Sequence, residues 1–174
     1  MRGFQGNEHI KEVNIPEGAT EIASCAFFGC KNLTAINLPS SLKKIGNLSF
    51  KNCGLTSISI PDDTSTIGGN AFFGCSNLKS VKLPTKLTTI AQETFRDCIS
   101  LEEINLPDTL IAIASGAFQS CKSMEHIRLP KTLRTLDLYA FYLCEIKTVE
   151  VPATWVDKIK LQQGFKNCEK LIEY

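Results

Sequence analysis

The chain has few residues with which to run chemistry. Its 174 residues contain two histidines, His9 and His126, and neither has a Ser or Cys spaced to form a nucleophile–base pair. There is no HExxH, no CxxC and no phosphate loop, so the motifs of metalloproteases, thiol redox centres and nucleotide sites are missing. Adjacent acids such as Glu102 and Glu103 point to opposite faces of an extended strand, which suits a solvated surface and not a general acid–base pair. No catalytic residue, metal ligand or cofactor is expected. No run approaches the roughly 18 apolar residues of a membrane span, and residues 1–11 lack the apolar core of a secretory signal. This segment therefore encodes neither membrane insertion nor secretion. Nor does one sign of charge dominate: 19 Lys and Arg against 18 Asp and Glu leave a net charge of +1, which gives no reason to expect nucleic acid or an anionic membrane as partner.

What the chain does have is a period. Pro16, Pro39, Pro61, Pro84, Pro107, Pro130 and Pro152 are separated by 23, 22, 23, 23, 23 and 22 residues. A fixed period of this length marks a solenoid, whose units bury their apolar faces only against their neighbours. Counting from each proline as zero, Phe27, Phe50, Phe72, Phe95, Phe118 and Phe141 occupy +11, and Cys30, Cys53, Cys75, Cys98, Cys121 and Cys144 occupy +14. In the last unit Phe165 and Cys168 are shifted to +13 and +16. The +10 column is small (Ala26, Ser49, Ala71, Thr94, Ala117, Ala140), +6 is Ile or Leu, and apolar trios such as Leu78/Val81/Leu83 lead into each proline. The unit reads PxxLxxIxxxAFxxCxxLxxIxL.

Seven concordant units resemble, over the whole chain, leucine-rich repeats of the BspA-like or Treponema pallidum type, whose units carry the same AFxxCxxLxxIxLP core. The resemblance implies a leucine-rich-repeat solenoid of about seven 22–23-residue repeats. Short parallel β-strands from LxxIxL would line the concave face, with loops and short 3-10 or helical turns on the convex side. It also implies a non-enzymatic protein-binding module of a surface or adhesion protein, cell-surface or secreted, that binds host or matrix proteins. The rivals are an intracellular scaffold or effector and the repeat portion of a larger enzyme.

The residues support the same fold without the resemblance. In LxxIxL the last two apolar positions alternate with polar ones at period two, as in a strand with one buried face, and proline ends the pairing because it has no N–H. Units running in one direction must pair in parallel, at about 4.8 Å per rung, so seven strands span about 30 Å. The AFxxC segment is too short for a long helix and fits a helical turn or 3-10 piece, giving low helix content. Two units are one residue short between Cys and strand, at Cys53-Gly54-Leu55 and Cys144-Glu145-Ile146, which predicts a surface turn there.

The chain, a single solenoid over 1–174, begins and finishes inside repeats. Phe4 falls in the phenylalanine column of a truncated unit, with Gly3 in the small column and Asn7 in the cysteine column. Leu171 and Tyr174 match strand positions of a unit that stops before its own proline. Solenoid ends need polar caps. None is evident at the N-terminus, so the segment belongs to a longer protein or self-associates end to end, while the last unit, with Trp155 and the polar run 158–163, resembles a degenerate cap.

One thiol per rung is expected to pack as a small apolar residue. Neighbouring rungs lie within the Cα separation a disulfide allows, yet parallel Cβ vectors suit that bond poorly, and a linear stack cannot surround zinc tetrahedrally. Cys25, at +9, is the thiol outside the column and a candidate for exposure. The sequons at Asn32 and Asn47 are read as ordinary turn residues.

Two surfaces are candidates for binding a protein partner. Strand residues alternating with the core form the columns Glu12, Ala35, Ser57, Ser80, Glu103, His126, Thr148 and Asn14, Asn37, Ser59, Lys82, Asn105, Arg128, Glu150. Variation on a fixed scaffold suits a recognition surface. Lys82, Glu103, Asn105, His126 and Arg128 are the most distinctive group and should cluster on adjacent rungs. The second surface is the outward +12 stripe of Phe28, Lys51, Phe73, Arg96, Gln119 and Tyr142, whose alternating aromatics and cations are spaced for cation–π stacking.

Overall fold

The structure is a computed structural model that describes residues 3–174; residues 1 and 2, the first of the segment searched for a signal, lie outside the described residues. Each repeat forms one rung. The expected strands are Glu12–Asn14, Ala35–Asn37, Ser57–Ser59, Ser80–Lys82, Glu103–Ile104, His126–Arg128, Thr148–Val151 and Lys170–Glu173. They form a front ladder whose paired neighbours are all parallel and in register, for example Glu12 opposite Ala35 and His126 opposite Thr148. The ladder is hydrogen-bonded in three blocks of two, three and three strands. Its first interruption follows the shortened turn at Gly54.

A second parallel ladder, unforeseen in the sequence, consists of the two-residue strands Glu21–Ile22, Lys44–Ile45, Thr66–Ile67, Thr89–Ile90, Ala112–Ile113 and Thr135–Leu136. In each, the +6 aliphatic is buried and the residue before it faces outward. The return segment forms a third set of rung-to-rung bonds. The N–H groups of Phe27, Phe50, Phe72, Phe95 and Phe118 donate to carbonyls of the next rung at 2.8–2.9 Å. The expected helical turns appear in the regular rungs as consecutive hydrogen-bonded turns, such as Phe28 N–H to the Cys25 carbonyl at 3.2 Å. Left-handed residues at +13 (Gly29, Asn52, Gly74, Asp97, Ser120 and Leu143, φ 58–75°) keep those turns from merging into a helix.

Between the ladders runs a column of rings. Phe4, Phe27, Phe50, Phe72, Phe95, Phe118 and Phe141 stack with centroids 5.0–5.5 Å apart and planes within 2–12° of parallel. Rung spacing and ring spacing nearly coincide, so backbone pairing and aromatic packing specify one register. The six column thiols are buried beside the rings. Each Sγ–H donates to the carbonyl of the phenylalanine one rung back, from Cys30 to Phe4 through Cys144 to Phe118, at 2.9–3.2 Å. Burial pushes the thiols of Cys53, Cys75, Cys98 and Cys121 well above their ordinary range. Cys25 is half-buried. Thr64 replaces the leucine seen at +3 in most rungs and is tolerated because its hydroxyl donates to the Leu42 carbonyl at 3.1 Å. Ser49, buried in the small column, has no hydrogen-bond partner for its Oγ among the described residues.

Two expectations about turns and ends are corrected. Glu145 is exposed, but Gly54 is buried, and a Cβ there would collide with the Lys31 carbonyl oxygen. That deletion is therefore held by close backbone packing and needs glycine. In the final strand Leu171 pairs with Val149 and Glu173 with Val151, which moves Tyr174 beyond the apolar strand positions and into the proline column, 22 residues after Pro152. The last unit also departs from the pattern: 3-10 turns at Ala153–Trp155 and Gln163–Phe165 flank the α-helix Val156–Ile159. Trp155 Nε1 donates to the Leu133 carbonyl at 3.1 Å and Gln162 Nε2 to the Leu136 carbonyl at 3.3 Å. These bonds close the edge of the second ladder, as a cap does.

Four outcomes are expected from this packing and its surface bridges. Phe72→Ala should cost about 3–5 kcal/mol in chemical denaturation, whereas Ser49→Ala should stabilise by about 1 kcal/mol because it removes an unpaired buried hydroxyl; a loss on Ser49→Ala would contradict its assignment. In a thiol titration of folded protein, Cys25 and Cys168, the two half-buried cysteines, should react, and the remaining six only after denaturation. The fourth concerns Asp63, which bridges Lys43 at 2.8 Å and also Lys86; hydrogen bonds from both ammonium groups lower its pKa to about 2. A depressed carboxyl stabilises the fold above its unfolded pKa and loses that contribution as pH falls through the folded value. A carboxyl NMR titration should show a midpoint near 2 that rises in Lys43→Ala and Lys86→Ala, and an ordinary midpoint in the parent chain would remove the bridge.

Candidate functional site

The front ladder builds the first candidate surface from backbone geometry alone. In the three-residue strands the central side chain is packed inward and the two flanking ones face outward, so register sets the outer residues in two straight columns. Lys82, Glu103, Asn105, His126 and Arg128 line one open depression together with Ser57, Ser59 and Ser80. The serines form a low floor at one end, and the charged residues rise from the other. This is the clustering on adjacent rungs that the sequence predicts.

The five residues are not equally free. Glu150, on the next strand, faces His126 Nε2 at 3.4 Å and Arg128 Nε at 3.5 Å. The Arg128 guanidinium also lies 4.1 Å from the ring centroid of Tyr174, whose hydroxyl donates to the Leu129 carbonyl. Partial burial raises the pKa of that hydroxyl. Two elements thus hold Arg128 in place. The Lys82 side chain is 64% exposed, and its ammonium lies 4.0 Å from the Asp62 carboxylate. Glu103 and Asn105 make no side-chain hydrogen bond among the described residues. Lys82, Glu103 and Asn105 are therefore the groups most available to a partner. Exposed pairs of this kind contribute about 0–1 kcal/mol to stability, so the fold does not depend on them.

Sequence reasoning placed Glu150 in its column without recognising its bridging role, and missed Tyr174. The signal was present in the 22-residue interval from Pro152 to Tyr174.

The +12 stripe divides in two. Lys51 Nζ lies 4.1 Å from the Phe73 centroid and 6.0 Å from that of Phe28, and the Arg96 guanidinium lies 5.4 Å from Phe73. Arg96 is further held by Glu93 at 2.9 Å. Phe28, Lys51, Phe73 and Arg96 satisfy one another as cation–π neighbours, each contact worth about 0.5–1 kcal/mol near the surface. Gln119 interrupts the stripe. Tyr142, beyond it, meets Tyr139 edge to face with centroids 5.8 Å apart. Among the described residues no group of His, Cys, Asp and Glu is arranged to hold a metal ion, and no helix is long and apolar enough to cross a membrane.

The rung geometry is shared with known proteins. The sequence profile of the BspA type leucine rich repeat region matches in six copies, over residues 1–105 and 88–174. The leucine-rich repeat protein of T. pallidum is 24% identical and superposes with a TM-score of 0.61 over 93% of this chain and 69% of its own. That of Eubacterium ventriosum is 24% identical, with a TM-score of 0.61 over 83% of this chain and 45% of its own. That of Bacteroides ovatus is 22% identical, with a TM-score of 0.48 over 98% of this chain and 62% of its own. The chain thus spans less than two thirds of the length of the latter two. No curated protein matches it. The invariant Phe and Cys columns, the in-register LxxIxL strands and a profile match along the whole length lead to one conclusion: the chain belongs to the BspA-type leucine-rich repeat family.

Proposed function

We propose that this segment is a non-enzymatic protein-binding module which engages its partner through the front ladder, as part of a surface or adhesion protein that binds host or matrix proteins. The observation that carries the reading is the contrast between identical backbone register and changing side chains along that face. Serine floors one half, and Lys82, Glu103, Asn105, His126 and Arg128 crowd the other. Exposed strands of a solenoid form an extended surface on which each rung contributes an independent pair of side chains. Three of the five have little internal role, as expected of groups kept for a partner. The adhesion role rests on membership of the family.

A second reading, an intracellular scaffold or effector, is favoured by the buried column of unpaired thiols, since free cysteines persist in reducing compartments.

The test is binding to an immobilised extracellular-matrix preparation, and separately to cytosolic proteins, by the parent chain and by Lys82→Glu/Arg128→Glu. Charge reversal at the centre of the face should weaken matrix binding about tenfold or more with the thermal midpoint unchanged. Equal binding by the variant would remove the front ladder as the site. Binding confined to cytosolic proteins would select the scaffold.

A further inference from the structure

We infer that the front ladder receives an α-helix of its partner, laid across the strands along the solenoid axis, with acidic residues at i and i+7 and basic residues at i+3 and i+4. The inference rests on the reading of the front ladder as the binding face. Four charged groups form a cross there. Lys82 and Arg128 occupy the same outward column two rungs apart, and on the rung between them Asn105 keeps that column neutral. Glu103 precedes Asn105 by two residues and Asp108 follows it by three, so an acid lies on either side of the cation column. Both acids are exposed and line the same depression, and neither enters an ion pair among the described residues. Glu150 faces the Nε of Arg128, and Tyr174 lies against its guanidinium. The terminal N–H groups are thereby oriented in advance for a carboxylate.

Spacing selects the helix. Phe72, Phe95 and Phe118, in the rungs that carry Lys82, Asn105 and Arg128, have centroids 5.3 and 5.4 Å apart, and paired front strands lie about 4.8 Å apart. One turn of α-helix advances about 5.4 Å, and i to i+7 spans about 10.5 Å, close to two rungs. At about 100° per residue, i+7 returns to the line of i, while i+3 and i+4 fall on opposite sides of it. This is the arrangement of Lys82, Arg128 and the two flanking acids with every sign inverted. An extended segment running in the same direction repeats its side chains on one face about every 6.7 Å and loses step with the rungs at once. Beyond Lys82 the rung of Ser57 and Ser59 carries no large outward side chain, so a helix about 10–12 Å across continues over it unobstructed.

The helix belongs to another protein. Among the described residues the α-helix of this chain is Val156–Ile159, a single turn, which cannot supply contacts seven residues apart. The occupant is thus defined by a pattern of charge and not by apolar area, and its affinity should fall as salt rises.

The experiment displays a stable helical hairpin with one face randomised among Asp, Glu, Lys, Arg and Ala, selects on the folded chain, and measures the enriched helix by fluorescence anisotropy. Acids at i and i+7 with bases at i+3 and i+4 should be enriched. Lys82→Glu/Arg128→Glu and Glu103→Lys/Asp108→Lys should each weaken that helix about tenfold or more, with thermal midpoints unchanged. The variant carrying all four changes should instead prefer a helix with every sign exchanged. No enrichment, enrichment of another pattern, or undiminished binding when a central proline breaks the helix would overturn the inference. Matrix or cytosolic binding that Lys82→Glu/Arg128→Glu abolishes while no helix is enriched removes the helical occupant and leaves the front ladder as the site. Binding that survives that variant removes both.

Discussion

Register between neighbouring rungs is the constraint on which everything else rests. Each rung offers its neighbour three sets of backbone bonds, in the two ladders and in the return turns, and a ring that must stack at the same spacing. A slip of one residue would turn the front strands inside out and break the ring column at once. The two requirements therefore reinforce each other. The thiols add a third tie, because each Sγ–H reaches back to the carbonyl beside the ring of the previous rung. Side chains outside these columns are left free to vary, and this freedom lets a repeating scaffold carry non-repeating surfaces.

Most of this was legible because a seven-fold repeat averages out the ambiguity of a single unit. The front strands, the buried columns and the two outward columns follow from period alone. The second ladder did not, since two-residue strands such as Lys44–Ile45 leave no alternation to detect. The left-handed positions were equally hidden. Gly29 and Gly74 hint at one, but Asp97, Ser120 and Leu143 occupy the same conformation, and there the neighbouring rungs override local preference. The burial of Gly54 is a property of the contact with Lys31 and is invisible in the strand of sequence that contains it.

At the candidate site the clustering of five residues was readable and their inequality was not. Arg128 and His126 are drawn toward Glu150, a residue one rung away, and the ring that steadies Arg128 comes from a position that elsewhere holds proline. In the same way the +12 stripe, a single column by sequence, splits where Gln119 breaks the alternation. Its first part is spent on internal stacking, and only its far end stays open.

Because nearly every tie joins residues one repeat apart, the rungs are linked in series and not woven together. Tension applied to the chain ends would fall first on a terminal rung, whose bonds to its single neighbour would open one after another, like a zip, before the next rung felt the load. Each release would free one repeat of chain, roughly 75 Å when extended. Such a body yields in steps under pull and keeps its remaining surfaces intact while it lengthens.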